Sequence, residues 1–203
     1  MTAAACQILL ATTNAGKLRE ITAILAGVPV DLVTLHRYPA LPEPEETGTT
    51  FQENARLKAL YYAQATGLVS IADDSGIEIE ALDHAPGVHS ARWHGSDYEA
   101  KFQKIYELLR ARGVSTSRAR FVCRVAVARR HEIVFEAEGV IEGEIAPQPR
   151  GQNGFGYDPI FFYPPIGRTL AELDPEEKSA VSHRGQAFAA FRSHLLADPA
   201  LVG

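Results

Sequence analysis

Two adjacent carboxylates, Asp73 and Asp74, stand in "SIADDSGIEIEAL" between an apolar strand-like run and a Ser-Gly pair that reads as a turn. Like charges side by side repel, so they help a chain that only needs to fold very little. The chemistry they suggest is a cation site at a strand end, with Ser75 adding a hydroxyl and Gly76 letting the chain turn sharply. Upstream, "EPEETG" supplies Glu45 and Glu46. Magnesium takes a few carboxylates and keeps its other positions for water and substrate phosphates, which an acidic loop near an acidic strand end can offer. Taken singly, each stretch is equally well a charged loop or a charged turn.

Three further stretches carry chemistry. In "ATTNAGK" a strand ends in Thr12, Thr13 and Asn14, and a helix begins over Ala15 and Gly16 with Lys17 one turn in. Free backbone N–H groups, the helix dipole and an ammonium all favour an anion such as phosphate. The GxxxxGK[ST] spacing of a Walker loop is absent, and a capped helix with a solvated lysine also explains the motif. In "GQNGFGYDP" flexible glycines surround Phe155, Gly156, Tyr157 and Asp158. Rings stack on bases and a carboxylate accepts from ring N–H groups, although a loop of packed aromatics has the same composition. "EEKSAVSHRG" gathers Lys178, His183 and Arg184. An ion pair of Lys178 with Glu176 or Glu177, and capping or surface charge for the other two, is the alternative. His183 has the chemistry of a base, but no nucleophile stands beside it, so it is read as a binding residue.

These residues need elements to hold them. "QILLATT" predicts a buried strand and "NAGKLREITAILAG" a helix capped by Asn14 and stopped by Gly27, with Leu18, Ile21 and Leu25 at helical spacing. "VDLVTL" is a second strand, and a polar, Pro-rich loop leads to the capping box of Thr50 and Glu53 and a helix through "FQENARLKALYYAQATG". Strands over Val69 to Ala72 and Ile77 to Leu82 follow, then an irregular loop through "DHAPGVHSARWHG" and a helix from about Asp97 to Arg112. Alternation from Phe121 to Val127, the turn "RRHE" and "IVFEAEGVIEGEI" predict a long hairpin. "IFFY" is a short strand, Asp174 and Pro175 open a short helix, and Phe188, Phe191 and Leu195 mark a terminal amphipathic helix. The order predicts an α/β fold with a mixed β-sheet flanked by helices, whose ligands collect at the carboxyl ends of strands.

With 203 residues, 46% hydrophobic and 22% charged, the chain has ordinary globular composition. A net charge of -5 and a pI near 5.8 leave no footprint for a nucleic-acid polymer or an anionic membrane, and neither is expected as a partner. Cys6 and Cys123 lie in apolar strand-like runs and match no zinc or thioredoxin-type spacing, so they read as buried thiols of a reducing cytosol. "MTAAACQILLATTN" has a short apolar run without a basic leader, and no stretch nears the ~20 apolar residues of a membrane span. The expected location is cytoplasmic.

Together, "LLATTNAGKLREI", "EETGTTFQENARLKA", "ADDSGIEIEALDHAPGVHSARW", "GFGYDPIFF" and "AELDPEEKSAVSHRGQAF" resemble the noncanonical purine nucleoside triphosphate pyrophosphatases, the inosine and xanthosine triphosphatases of the RdgB/HAM1 group, from Ile8 to about Phe191. The resemblance implies a single domain over residues 1–203 with an elongated, two-lobed fold, a homodimer and a magnesium requirement. The implied reaction converts ITP, dITP and XTP to the monophosphate and pyrophosphate, cleansing the nucleotide pool. It places Thr12, Thr13, Asn14, Ala15, Gly16 and Lys17 on the triphosphate, Lys58 as a second phosphate lysine, and Glu46 and Asp74 at magnesium. Asp74 would be the base for the attacking water, its pKa kept low by the metal, and Asp73 would order its surroundings or hold a second ion. Ser75 would bind substrate, while Phe155, Gly156, Tyr157, Asp158, Lys178, His183 and Arg184 would surround the base. Thr13 replaces a glycine frequent in the group, Trp93 replaces a Tyr or Phe, and Glu45 beside Glu46 leaves the metal ligand open by one residue. A Maf-like pyrophosphatase for other modified nucleotides and a nucleotide sensor without turnover are the alternative readings.

Overall fold

The computed structural model describes residues 6–198, so the first five residues of the apolar N-terminal run lie outside the described residues. The strands are β1 (Gln7–Leu10), β2 (Asp31–Thr34), β3 (Val69–Ile79), β4 (Arg118–Arg129), β5 (Glu132–Ile145), β6 (Phe161–Tyr163) and β7 (Arg168–Thr169). The helices are α1 (Ala15–Ile24), α2 (Phe51–Thr66), α3 (Tyr98–Ala111), α4 (Pro175–Val181) and α5 (His183–Ala197). The strands form one mixed sheet in the order β2-β1-β3-β4-β5-β6-β7; β1 is parallel to β2 and β3, and β6 is antiparallel to β5 and β7. The expected α/β class with a mixed sheet and flanking helices is what the chain adopts.

Local chemistry sets the boundaries. The Asn14 side chain accepts from Lys17 N and starts α1, and the reciprocal capping box of Thr50 and Glu53 starts α2. Gly67, at φ 71°, ends α2 in the left-handed conformation that costs a glycine least. Asp97 caps α3, and Arg130 and His131 make the turn between β4 and β5. The largest departure from expectation is β3. The predicted Ser-Gly turn does not occur: Val69 to Ile79 is one continuous strand, and only Glu80–Leu82 leaves it, as a 3-10 turn. Gly76 serves close packing, because a Cβ there would lie 2.6 Å from the Gly87 carbonyl oxygen and closer still to the Ser90 hydroxyl.

The chain divides into two compact units. Among the described residues, unit 1 holds the chain up to Asp74, Cys123–Gly139 and the segment from Arg184 on, and unit 2 holds Ser75–Val122 and Val140–His183. In unit 1 the period of two along the strands sorts side chains to two faces. Ile8, Leu10, Val69, Ile71, Cys123, Val125 and Val127 pack against Ile21 of α1, Leu25 at its C-cap, and Phe188, Phe191 and Leu195 of α5. Leu9, Ala11, Ala72, Ala126 and Ala128 pack against Ala55, Ala59, Tyr62 and Ala63 of α2. Unit 2 has its own core, in which Phe102, Ile105, Tyr106 and Leu109 of α3 meet Ile77, Ile79, Phe121, Ile141 and Phe161. Cys123 is buried and Cys6 half-buried, and neither is in a disulfide.

Candidate active site

Asp73 and Asp74 are neighbours in sequence but point to opposite faces of β3, as successive strand residues must. Leu10 pairs with Ile71, so β1 ends two residues short of the level of Asp73, and the Thr12–Asn14 turn leaves the sheet beside this pair. The strand-end placement expected for the pair is therefore corrected: the two carboxylates lie within a strand, each facing a different helix layer.

On the α1 and α5 side, Asp73 Oδ2 receives Lys17 Nζ at 2.9 Å and Arg184 Nη2 at 3.3 Å, with Cys123 Sγ at 3.8 Å. Arg184 also donates to Glu20 Oε2 at 2.7 Å. Burial acts to raise the Asp73 carboxyl, but the charges of Lys17, Arg184 and Lys58 outweigh it and hold it well below the usual carboxylate range. Arg184 is buried, so the surface-charge reading does not apply to it. The same burial pushes the Cys123 thiol up, which leaves it inert.

On the α2 side, Lys58 Nζ donates to Asp74 Oδ1 at 2.9 Å and to Glu46 Oε1 at 2.7 Å. The adjacent Glu45 is exposed, so Glu46 is the member of the pair brought to Asp74. Burial raises the Asp74 carboxyl, and Lys58 and Lys17 offset this only in part. Burial alone would lower the Lys58 ammonium, but Asp74, Asp73 and Glu46 raise it. Two carboxylates converging on one ammonium form a place already built for positive charge, and their hard oxygens suit magnesium, which completes its shell with water and phosphate. Asn54 was not legible in the sequence. It is fully buried, its Nδ2 lies 3.4 Å from Asp74 Oδ2, and its Oδ1 accepts from Gly48 N at 2.8 Å, tying the acidic loop to β3. Its place four residues before Lys58, on the same face of α2, was the available signal.

At the α1 N-terminus, Thr12 Oγ1 accepts from Asn14 N at 3.2 Å and Thr13 Oγ1 donates to Glu43 Oε1 at 2.7 Å. Ala15 is exposed and Gly16 buried, which leaves the first turn of the helix accessible from one side. Ser75, half-buried, begins unit 2.

Within unit 2, Asp158 Oδ2 accepts from Phe155 N at 2.7 Å and from Lys178 Nζ, so the loop from Phe155 through Gly156 to Asp158 closes on its own carboxylate. Lys178 thus pairs with Asp158, where an ion pair with Glu176 or Glu177 was the alternative expected. Glu177 instead pairs with Arg168 at 2.7 Å. Lys178 Nζ lies 4.8 Å from the Phe155 ring centre, and the buried His183 ring stacks on Phe121 at 4.6 Å with planes 8° apart.

A helix N-terminus, two lysines and a buried carboxylate gathered at the carboxyl end of a parallel strand pair define an α/β protein equipped to handle phosphate. The chain belongs to the Ham1 family, whose model matches residues 8–194. It is 46% identical over 191 residues to the dITP/XTP pyrophosphatase of Geobacter sulfurreducens, covering 93% of this chain and 96% of that one. With the dITP/XTP pyrophosphatase of a Nostoc species it shares 50% over 185 residues, or 90% and 91% of the two chains. A HAM1 protein structure from Coxiella burnetii superposes with a TM-score of 0.87 at 43% identity, over 95% of this chain and all (100%) of that one.

Proposed function

We propose that this chain is a nucleoside triphosphate pyrophosphatase that hydrolyses ITP, dITP and XTP to the nucleoside monophosphate and pyrophosphate. The observation that carries the reading is Asp74. It is a buried carboxylate that meets Lys58 at 2.9 Å, with Glu46 on the same ammonium and Asn54 beside it, in a chain of the Ham1 family. A carboxylate so placed can orient a water and accept its proton.

In this mechanism Asp74 orients a water and takes its proton as the oxygen attacks the α-phosphorus and the bond to the bridging oxygen of pyrophosphate breaks. Phosphoryl transfer needs positioning and charge neutralisation more than covalent help. Lys17, Lys58 and the first turn of α1, from Thr12 to Lys17, neutralise the phosphates that leave. Glu46 and Asp74 would hold magnesium, which when bound supplies further neutralisation of phosphate charge and lowers the Asp74 pKa. Ser75 adds a substrate hydroxyl contact. In unit 2, Phe155 offers a ring for stacking, and Asp158 beside Lys178 offers an acceptor and a donor; His183, stacked on Phe121, and Tyr157, bonded to Ser90, are the buried residues the resemblance adds. Hypoxanthine and xanthine present N1–H and O6, and adenine reverses that pattern, so a site built for the keto form discriminates by on the order of 10⁴. The homodimer and the cytoplasmic location rest on the family resemblance, the latter also on two cysteines outside any disulfide, and cell fractionation checks it.

Turnover of ITP, XTP, dITP, GTP and ATP in ¹⁸O-labelled water, with and without magnesium, tests the reading. Label is expected in the monophosphate, with unlabelled pyrophosphate, in the magnesium arm. Label in pyrophosphate or release of orthophosphate rejects attack at the α-phosphorus.

A further inference from the structure

Unit 2 buries a cation that has no carboxylate partner among the described residues. Lys101, on α3, is 0% exposed. Its Nζ donates to the Ala91 carbonyl at 2.7 Å and the Ser90 carbonyl at 3.3 Å, and it lies 4.2 Å from the centre of the Tyr98 ring. The other buried cations among the described residues face carboxylates: Lys178 has Asp158, and Arg184 has Glu20 and Asp73. An unpaired buried ammonium is costly, and an unbranched apolar side chain of similar volume would fill the same space without that cost. The lysine therefore needs a return that packing does not give.

Its contacts point to one. Two successive carbonyls turned toward a common point repel unless a cation collects them. The Ser90 carbonyl is shared, because Tyr157 Oη also donates to it at 2.9 Å. On its other side the Ser90 hydroxyl accepts from Ile77 N at 3.0 Å and donates to the Gly87 carbonyl at 2.6 Å, so the segment is held to β3 by its side chain and to Lys101 by its backbone. The Tyr98 ring, under the ammonium, meets the Tyr157 ring edge-on at 5.3 Å and lies 3.7 Å from where Gly156 would carry a Cβ. Both routes from Lys101 end on Gly156 and Tyr157, inside the loop that Asp158 closes.

We infer that Lys101 is a positioning residue for purine selection: by gathering the Ser90 and Ala91 carbonyls it sets the Tyr157 hydroxyl and Tyr98 ring, and through them the register of the Phe155–Asp158 loop. This rests on the purine triphosphate reading given above. A buried charge suits the task better than an apolar group, because a cation fixes carbonyl directions that packing leaves free.

The test is steady-state kinetics on ITP and ATP for K101M, K101R and the wild type, with thermal melts of each. K101M is expected to raise the KM for ITP about tenfold and to lower the ITP-over-ATP ratio of kcat/KM about tenfold, with kcat within about twofold, the scale of losing hydrogen bonds to a charged group. K101R, which keeps the cation, is expected to recover much of the ratio. A folded K101M with wild-type KM and ratio overturns the inference, even if its melting temperature falls, since that marks a lysine needed only for stability. Should K101M not fold, Y157F decides: loss of its hydroxyl must lower the same ratio, and an unchanged ratio overturns the inference. A wild type without preference for ITP sinks the activity reading itself, and a preference lost in neither variant sinks only the role of Lys101.

Discussion

Asp73 and Asp74 are the same residue type one position apart, and their surroundings give them opposite tasks. Asp73 is held ionised by Lys17 and Arg184, and removing its charge would leave both cations facing a neutral group in a buried place, with Glu20 remaining to Arg184. Asp74 is pushed toward its neutral form by burial, so removing its charge relieves a penalty. Asp73→Asn is therefore expected to lose about 3 kcal/mol in urea unfolding, as for a broken buried ion pair. Asp74→Asn is expected to stay within about 1 kcal/mol of wild type but to lose roughly 10² or more in turnover, the scale of a general base. Equal stability losses in the two variants, or near wild-type turnover in Asp74→Asn at saturating magnesium, would undo this division of labour.

At the scale of the element, β3 is the organising strand. It carries Asp73 to the α1 and α5 layer and Asp74 to the α2 layer, and it runs on through Gly76 into the core of unit 2. Gly76 lies against the backbone of Gly87 and the side chain of Ser90, and backbone cannot yield as a flexible side chain can. Gly76→Ala should cost about 2 kcal/mol or more, in the range of overpacked interiors. Because Ser90 links this strand to Lys101 and Tyr157, the same variant should also weaken ITP relative to ATP. Urea unfolding together with the two kcat/KM values checks both, and an unchanged midpoint would show that the segment from Gly87 to Ser90 yields freely.

At the scale of the whole molecule, the boundary between the units falls inside β3, β4 and β5. Three strands thus begin in one core and end in another, and neither core can lose its strands without pulling on the other. Unfolding is expected to be cooperative, with the fluorescence of Trp93, the single tryptophan, and far-UV circular dichroism giving coincident transitions. If the protein is the proposed homodimer, the midpoint rises with protein concentration. Separate transitions would count against the expected single domain over residues 1–203, and a midpoint independent of concentration would count against the dimer.

The sequence by itself determined the α/β class, the helix caps and the alternation of β4 and β5, because each is written in local spacing. Asn14 caps α1 and Thr50 with Glu53 caps α2 whatever packs on them. Five ordered motifs also pointed to the family. What only the tertiary structure decided is where adjacent residues face and who answers their charges. The Ser-Gly pair has turn composition, yet it stays extended because Gly76 is needed where two backbones approach closely. Lys178 has acidic neighbours in sequence but pairs with Asp158, twenty residues away, and Arg184 pairs with Asp73 and Glu20. No sequence motif singles out Lys101, and only its burial beneath the Ser90 and Ala91 carbonyls supports the task proposed for it. Such pairings follow from chain segments distant in sequence meeting in a low-dielectric interior, where an unanswered charge is expensive, and no local pattern records that.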